Sequence, residues 1–99
     1  MHLTWLGHAT WSIVTGQHTL LIDPFLDGNP AAAAKADDVA ADFILLTHGH
    51  ADHVADAVKI AKRTGATVIA NYEIYEWLAK QGVANAVGMN LGGWGTFPF

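Results

Sequence analysis

Phe43-Ile44-Leu45-Leu46-Thr47-His48-Gly49-His50-Ala51-Asp52-His53 decides how the rest of this chain is read. Its first four residues are apolar without a polar break, the pattern of a strand buried on both faces. Beyond it, Val54, Ala57, Val58 and Ala61 recur at i, i+3, i+4 and i+7, the spacing of one helix face. The histidines therefore fall on a strand-to-helix turn. The carboxyl end of a buried strand is where open α/β sheets gather their ligands.

Spacing sharpens the chemistry. His48 and His50 are two apart, so in extended backbone they point the same way and can bind one ion together. Asp52 and His53 are adjacent at the helix entry and suit a second ion, about 3.5–4 Å from the first in two-metal sites. Gly49 removes a side chain between two histidines and permits backbone angles that other residues avoid. The competing account is a solvated polar loop with Asp52 as a helix cap.

A hydrophobic fraction of 52% with 14% charged residues describes a packed unit rather than a disordered one. Ninety-nine residues make one domain at most, with a modest core. Net charge is −4 and the densest basic cluster is Lys62-Arg63, which argues against nucleic acid as a partner. With no cysteine, a thiolate zinc site and a disulfide scaffold are excluded. No charged leader precedes an apolar run, and no stretch approaches about 18 consecutive apolar residues. The expectation is a cytoplasmic protein without membrane contact.

Upstream of the motif, His2–Leu6, Trp11–Thr15 and His18–Ile22 read as strands of a meander, with Gly16-Gln17 as a two-residue hairpin link. His8 sits in the turn between the first two strands, where a plain solvated histidine is the alternative. His2 and His18 read as surface residues. Asp23 closes the apolar run Leu20-Leu21-Ile22 and Pro24 stops it. A carboxylate at a buried strand end needs a partner, and the far nitrogen of a metal-bound histidine is a common one. The other account is an ordinary Asp-Pro turn. Residues 27–42 read as a surface loop with a short helix near Asp37–Ala41.

Downstream, the helix from about Val54 ends at Gly65 with Lys59, Lys62 and Arg63 complementing its dipole. Thr67–Ala70 is the next strand, and Glu73–Gln81 a helix with Ile74, Trp77 and Leu78 inward and Gly82 as its stop. Tyr72, Tyr75 and Trp77 read as core more readily than as pocket lining. Asn85–Leu91 enters another strand, and Gly92–Phe99 reads as a turn that begins one more.

Three further stretches flank the motif: Leu3-Thr4-Trp5-Leu6-Gly7-His8-Ala9-Thr10, Leu21-Ile22-Asp23-Pro24-Phe25-Leu26-Asp27-Gly28-Asn29-Pro30 and Met89-Asn90-Leu91-Gly92-Gly93. With the motif, they make the chain resemble the metallo-β-lactamase superfamily. Within it, the chain is similar to the UPF0173-type metal-dependent hydrolases, a branch similar to bacterial ascorbate-phosphate lactonases.

The resemblance implies an α/β (α+β) fold: a β-meander followed by βαβα on a mixed sheet, the N-terminal half of a four-layer αββα sandwich. Residues 1–99 would then be one incomplete domain without its C-terminal half. Trp94–Phe99 departs from the family after Gly93, as a truncated or frame-shifted product would, or simply as a frayed tail.

The same resemblance implies a divalent metal, zinc foremost, with manganese, iron or nickel as alternatives, one or two ions in number. His48 and His50 would hold one ion, Asp52 and His53 the other, and Asp23 would back a ligand histidine. Asp52 would orient the nucleophile, and His8 would bind substrate or stabilise developing charge. The reaction would be attack of a metal-activated hydroxide on a small-molecule ester, lactone, amide or phosphodiester. The family's remaining ligands lie in the second half. All six histidines here fall at or before His53, leaving two protein ligands per ion and weak or partial occupancy. The chain alone is expected to be weakly active or inactive, and self-association or pairing with a C-terminal half is expected to complete it. The alternative is a non-catalytic metal-binding or partner-binding half-domain.

Overall fold

The computed structural model describes residues 1–99. Strands β1 (His2–Gly7), β2 (Thr10–Thr15) and β3 (His18–Ile22) form the antiparallel meander. Strands β4 (Phe43–Leu45), β5 (Thr67–Asn71) and β6 (Ala86–Met89) continue it in parallel, giving one six-stranded sheet in chain order. Parallel neighbours need crossovers, and helices supply them. These are α1 (Ala51–Val54) and α2 (Ala57–Thr64) between β4 and β5, and α3 (Tyr72–Lys80) between β5 and β6. The α/β architecture with a mixed sheet matches the expectation. No helix is long and apolar enough to cross a membrane.

Register explains the core. Leu21, Ile44 and Val68 stand side by side on β3, β4 and β5, all fully buried. Ile60 of α2 and Leu78 of α3 are equally buried in the same cluster. The alternate residues form a second apolar row across all six strands: Trp5, Trp11, Ile22, Leu45, Ile69 and Val87. Trp5 is 56% exposed, Trp11 38% and Val87 36%. Apolar residues on both faces made β4 read as buried on both sides, yet its Phe43 and Leu45 are half-buried here. What covers this face locally is the C-terminal segment, with the Phe99 ring 4.8 Å from that of Phe43.

Local expectations differ from the structure at several places. The helix after the motif is broken into α1 and α2, because Asp56 donates its N–H to Pro24 O at 3.0 Å. Its carboxylate accepts from the Leu26 and Asp27 amides at 2.7 and 3.1 Å instead of capping α2. No helix forms at Asp37–Ala41: Ala36 is buried in the core, and Arg63 donates to the Ala36 and Val39 carbonyls. Lys59 pairs with Asp27 and Asp37, so the basic residues of α2 tie down the loop as well as facing the helix end. Residues 92–99 form no strand, and Trp77 points outward at 38% exposure while Ile74 and Leu78 point in. Helix α3 starts at Tyr72 because Asn71 caps it, its side chain accepting from the Ile74 amide at 2.9 Å.

Asp56 thus joins α2 to the segment that follows β3. Asp56→Ala strands two backbone amides, and an unfolding free energy lower by about 2–3 kcal/mol is expected. Urea unfolding reads this as a lower midpoint at unchanged slope; an unchanged midpoint would mean that water replaces the carboxylate.

Candidate metal centre

Three residues with positive φ, Gly7, His8 and Asp23, bring the site together. At the β1–β2 turn, Gly7 has φ +107°, and a Cβ there would lie 2.8 Å from the Ala31 carbonyl oxygen, so only glycine fits. His8 follows with φ +53°, its carbonyl oxygen accepting from Trp5 Nε1 at 2.9 Å. At the end of β3, Asp23 has φ +43°. Such conformations cost energy in non-glycine residues and persist when their surroundings hold them. Here the holder is Thr10, fully buried, whose hydroxyl donates to Asp23 O at 2.8 Å and accepts from the Phe25 amide at 3.1 Å. The Asp23 amide donates to Leu45 O at 3.0 Å, locking β3 to β4.

So held, the Asp23 carboxylate is 2% exposed and points into the motif. Oδ1 accepts from the Thr47 amide at 2.8 Å. Oδ2 accepts from Thr47 Oγ1 at 2.6 Å and from His53 Nδ1 at 2.9 Å. With Nδ1 carrying the proton, His53 Nε2 presents its lone pair outward, 3.8 Å from Asp52 Oδ1. His48 Nδ1 lies 2.9 Å from Thr47 Oγ1, and His48 Nε2 lies 3.0 Å from His50 Nδ1. His8 Nε2 reaches Asp52 Oδ2 at 3.0 Å.

The sequence-predicted residues His8, Asp23, His48, His50, Asp52 and His53 therefore lie in one cluster. Donor atoms within 4.8 Å of one another form two groups, His8, Asp52 and His53, and Asp23, His48 and His53. His53 belongs to both. Thr47 and Thr10 are the contributors that sequence reasoning missed; Thr47 was within the motif but carries no ligand atom, and Thr10 gave no signal. Gly49 differs from expectation, since it has no left-handed φ and an added Cβ would meet Ile74 at an ordinary 3.8 Å. The turn here does not need glycine.

Partial desolvation raises the Asp52 carboxyl, but its own backbone N–H, His53 and His8 outweigh that and hold it below the ordinary carboxylate value. It is ionised at neutral pH. Imidazole nitrogens and carboxylate oxygens with the far nitrogens of His48 and His53 already backed fit a borderline divalent cation. His48 Nε2 and His50 Nδ1 meet in a hydrogen bond at 3.0 Å, and His50 falls in neither group of three candidate ligands.

Asp23→Ala would leave Thr47 N–H, Thr47 Oγ1–H and His53 Nδ1–H without their acceptor. Measured in chelator so that no ion contributes, a loss of about 2–4 kcal/mol in unfolding free energy is expected. A variant as stable as the parent would show that the carboxylate is not what holds the motif.

The chain is also similar to known proteins. The chain is 53% identical over 93 residues to a UPF0173 metal-dependent hydrolase of Methanopyrus kandleri, covering 94% of this chain and 40% of that protein. It is 50% identical over 99 residues to another from Heliobacterium modesticaldum, covering all of this chain and 41% of the relative. The chain thus spans about two fifths of the length of the curated relatives it matches. Among solved structures it is similar to Igni18, a metallo hydrolase from the archaeon Ignicoccus hospitalis. The TM-score there is 0.82 at 33% identity, covering 92% of this chain and 40% of that one. The family model of the metallo-beta-lactamase superfamily matches residues 3–95, and the chain belongs to that superfamily.

Proposed function

We propose that the chain is the metal-holding portion of a metal-dependent hydrolase. The observation that carries this reading is the convergence of His48 Nε2 and His50 Nδ1 at 3.0 Å beside Asp52 and His53, with Thr47 hydrogen-bonded to the His48 ring and Asp23 to the His53 ring. Superfamily membership and the hydrolase descriptions of the relatives support it. His48 and His50 would hold one divalent ion and Asp52 and His53 a second, with zinc as the first choice for this donor set. When bound, such an ion supplies Lewis acidity, acidifying water and polarising a carbonyl or phosphoryl oxygen.

The chain's own residues divide the remaining work. Asp23 keeps the His53 proton on Nδ1 and so leaves Nε2 free. Asp52, ionised and 48% exposed in its side chain, can hold a water hydrogen and orient its oxygen toward substrate. His8, 42% exposed and tethered to Asp52, stands on the open side, where it can bind a substrate oxygen. Small-molecule esters, lactones, amides and phosphodiesters suit this chemistry. A cytoplasmic location, and pairing with further chain or a second copy, belong to the same proposal.

The half-exposed apolar row from Trp5 to Val87 favours a second reading, a non-catalytic metal-binding or partner-binding half-domain. One experiment separates the two. The zinc-loaded chain is assayed on an ester, a lactone and a phosphodiester, beside His50→Ala and a chelated sample. Turnover by the chain alone that is at most weak, and that falls to background in both controls, is the expected result. A bound ion without turnover favours the second reading, and no bound ion contradicts the first and leaves only the partner-binding form of the second.

A further inference from the structure

Thr47 stands inside the motif without a ligand atom, yet its hydroxyl touches both the buried carboxylate and a histidine. A threonine hydroxyl has one hydrogen and two lone pairs. At 2.6 Å from Asp23 Oδ2 the hydrogen lies on that line, since facing lone pairs would repel at such a distance. The contact at 2.9 Å from His48 Nδ1 is then one in which the hydroxyl accepts and the imidazole donates. His48 is thereby fixed as the Nδ1–H tautomer, and its Nε2 lone pair faces His50 Nδ1. Asp23 fixes His53 in the same tautomer directly.

We propose that Thr47 is a positioning residue for His48. It hands the grip of Asp23 on to that ring, so that one buried carboxylate sets the orientation and tautomer of a histidine in each ligand pair. The consequence for an ion rests on the metal-centre reading above; the tautomer does not. The backbone anchor is separate, because the Thr47 amide donates to Asp23 Oδ1 at 2.8 Å whatever the side chain. Thr47→Val keeps that anchor and the branched shape but deletes the hydroxyl, while Thr47→Ser restores it.

The test has two readouts on the full chain. In chelator, imidazole 15N–1H long-range spectra should show His48 as Nδ1–H in the parent and in Thr47→Ser, and as a tautomer mixture in Thr47→Val. His53 should stay Nδ1–H in all three. Titration with Co2+ should show affinity lowered about 10–100-fold in Thr47→Val and restored in Thr47→Ser. An Nε2–H His48 in the parent, or a Thr47→Val whose tautomer and affinity match the parent, would overturn the proposal. Absence of Co2+ binding in the parent would sink the metal-centre reading and leave the His48 tautomer to decide the role of Thr47. Should Thr47→Val lack the circular dichroism of a folded chain, the parent tautomer and the Thr47→Ser affinity decide it.

Discussion

The carboxylate of Asp23 is the contact on which the rest of the site depends. A charge with 2% exposure is tolerated when its lone pairs are filled, and all three donors here come from the motif. The dependence runs both ways. The motif satisfies the carboxylate, and the carboxylate fixes the turn between β4 and α1 and two of its rings. Its own left-handed backbone is held by Thr10 and by the Leu45 carbonyl. The strand pairing of Ile22 with Leu45 is therefore a condition of the chemistry as well as of the core.

The sheet divides its two faces unequally. Helices α2 and α3 bury the row of Leu21, Ile44 and Val68, and burial of such side chains is worth about 1.5–3 kcal/mol each. The opposite row is just as apolar, but water reaches much of it, with the C-terminal phenylalanines over Phe43 as local cover. The ligand cluster lies at the strand ends, with Asp23 buried and the His8 and Asp52 side chains reached by solvent. Rings backed from the protein side and open to solvent are arranged for a ligand that arrives from outside.

Much of this was legible in the sequence because it is local. Apolar runs bounded by turns marked the strands, Gly16-Gln17 marked the hairpin, and Gly65 ends α2 with φ +75° and its amide on Ala61 O. The ligand-type side chains were contiguous and named their chemistry by spacing. What was hidden depends on distant partners. The bond from Thr47 to Asp23 spans 24 residues and needs the parallel register of β3 and β4 before it exists. The helix break at Asp56 follows from a carbonyl at Pro24, and the missing helix at Asp37–Ala41 from Arg63 taking two of that loop's carbonyls. His8 could be placed in a turn, but only the fold brings it to Asp52.

The most direct measurement of the central claim is the number of ions kept per chain after zinc loading and dialysis, compared between the parent and Asp23→Asn. An amide at this position keeps the volume of the side chain but turns an N–H toward His53 Nδ1, which moves the ring proton to Nε2 and occupies the ligand nitrogen. The account predicts an ion retained by the parent and released by Asp23→Asn with the fold intact by circular dichroism. Equal retention in the two, or none in the parent, would contradict it.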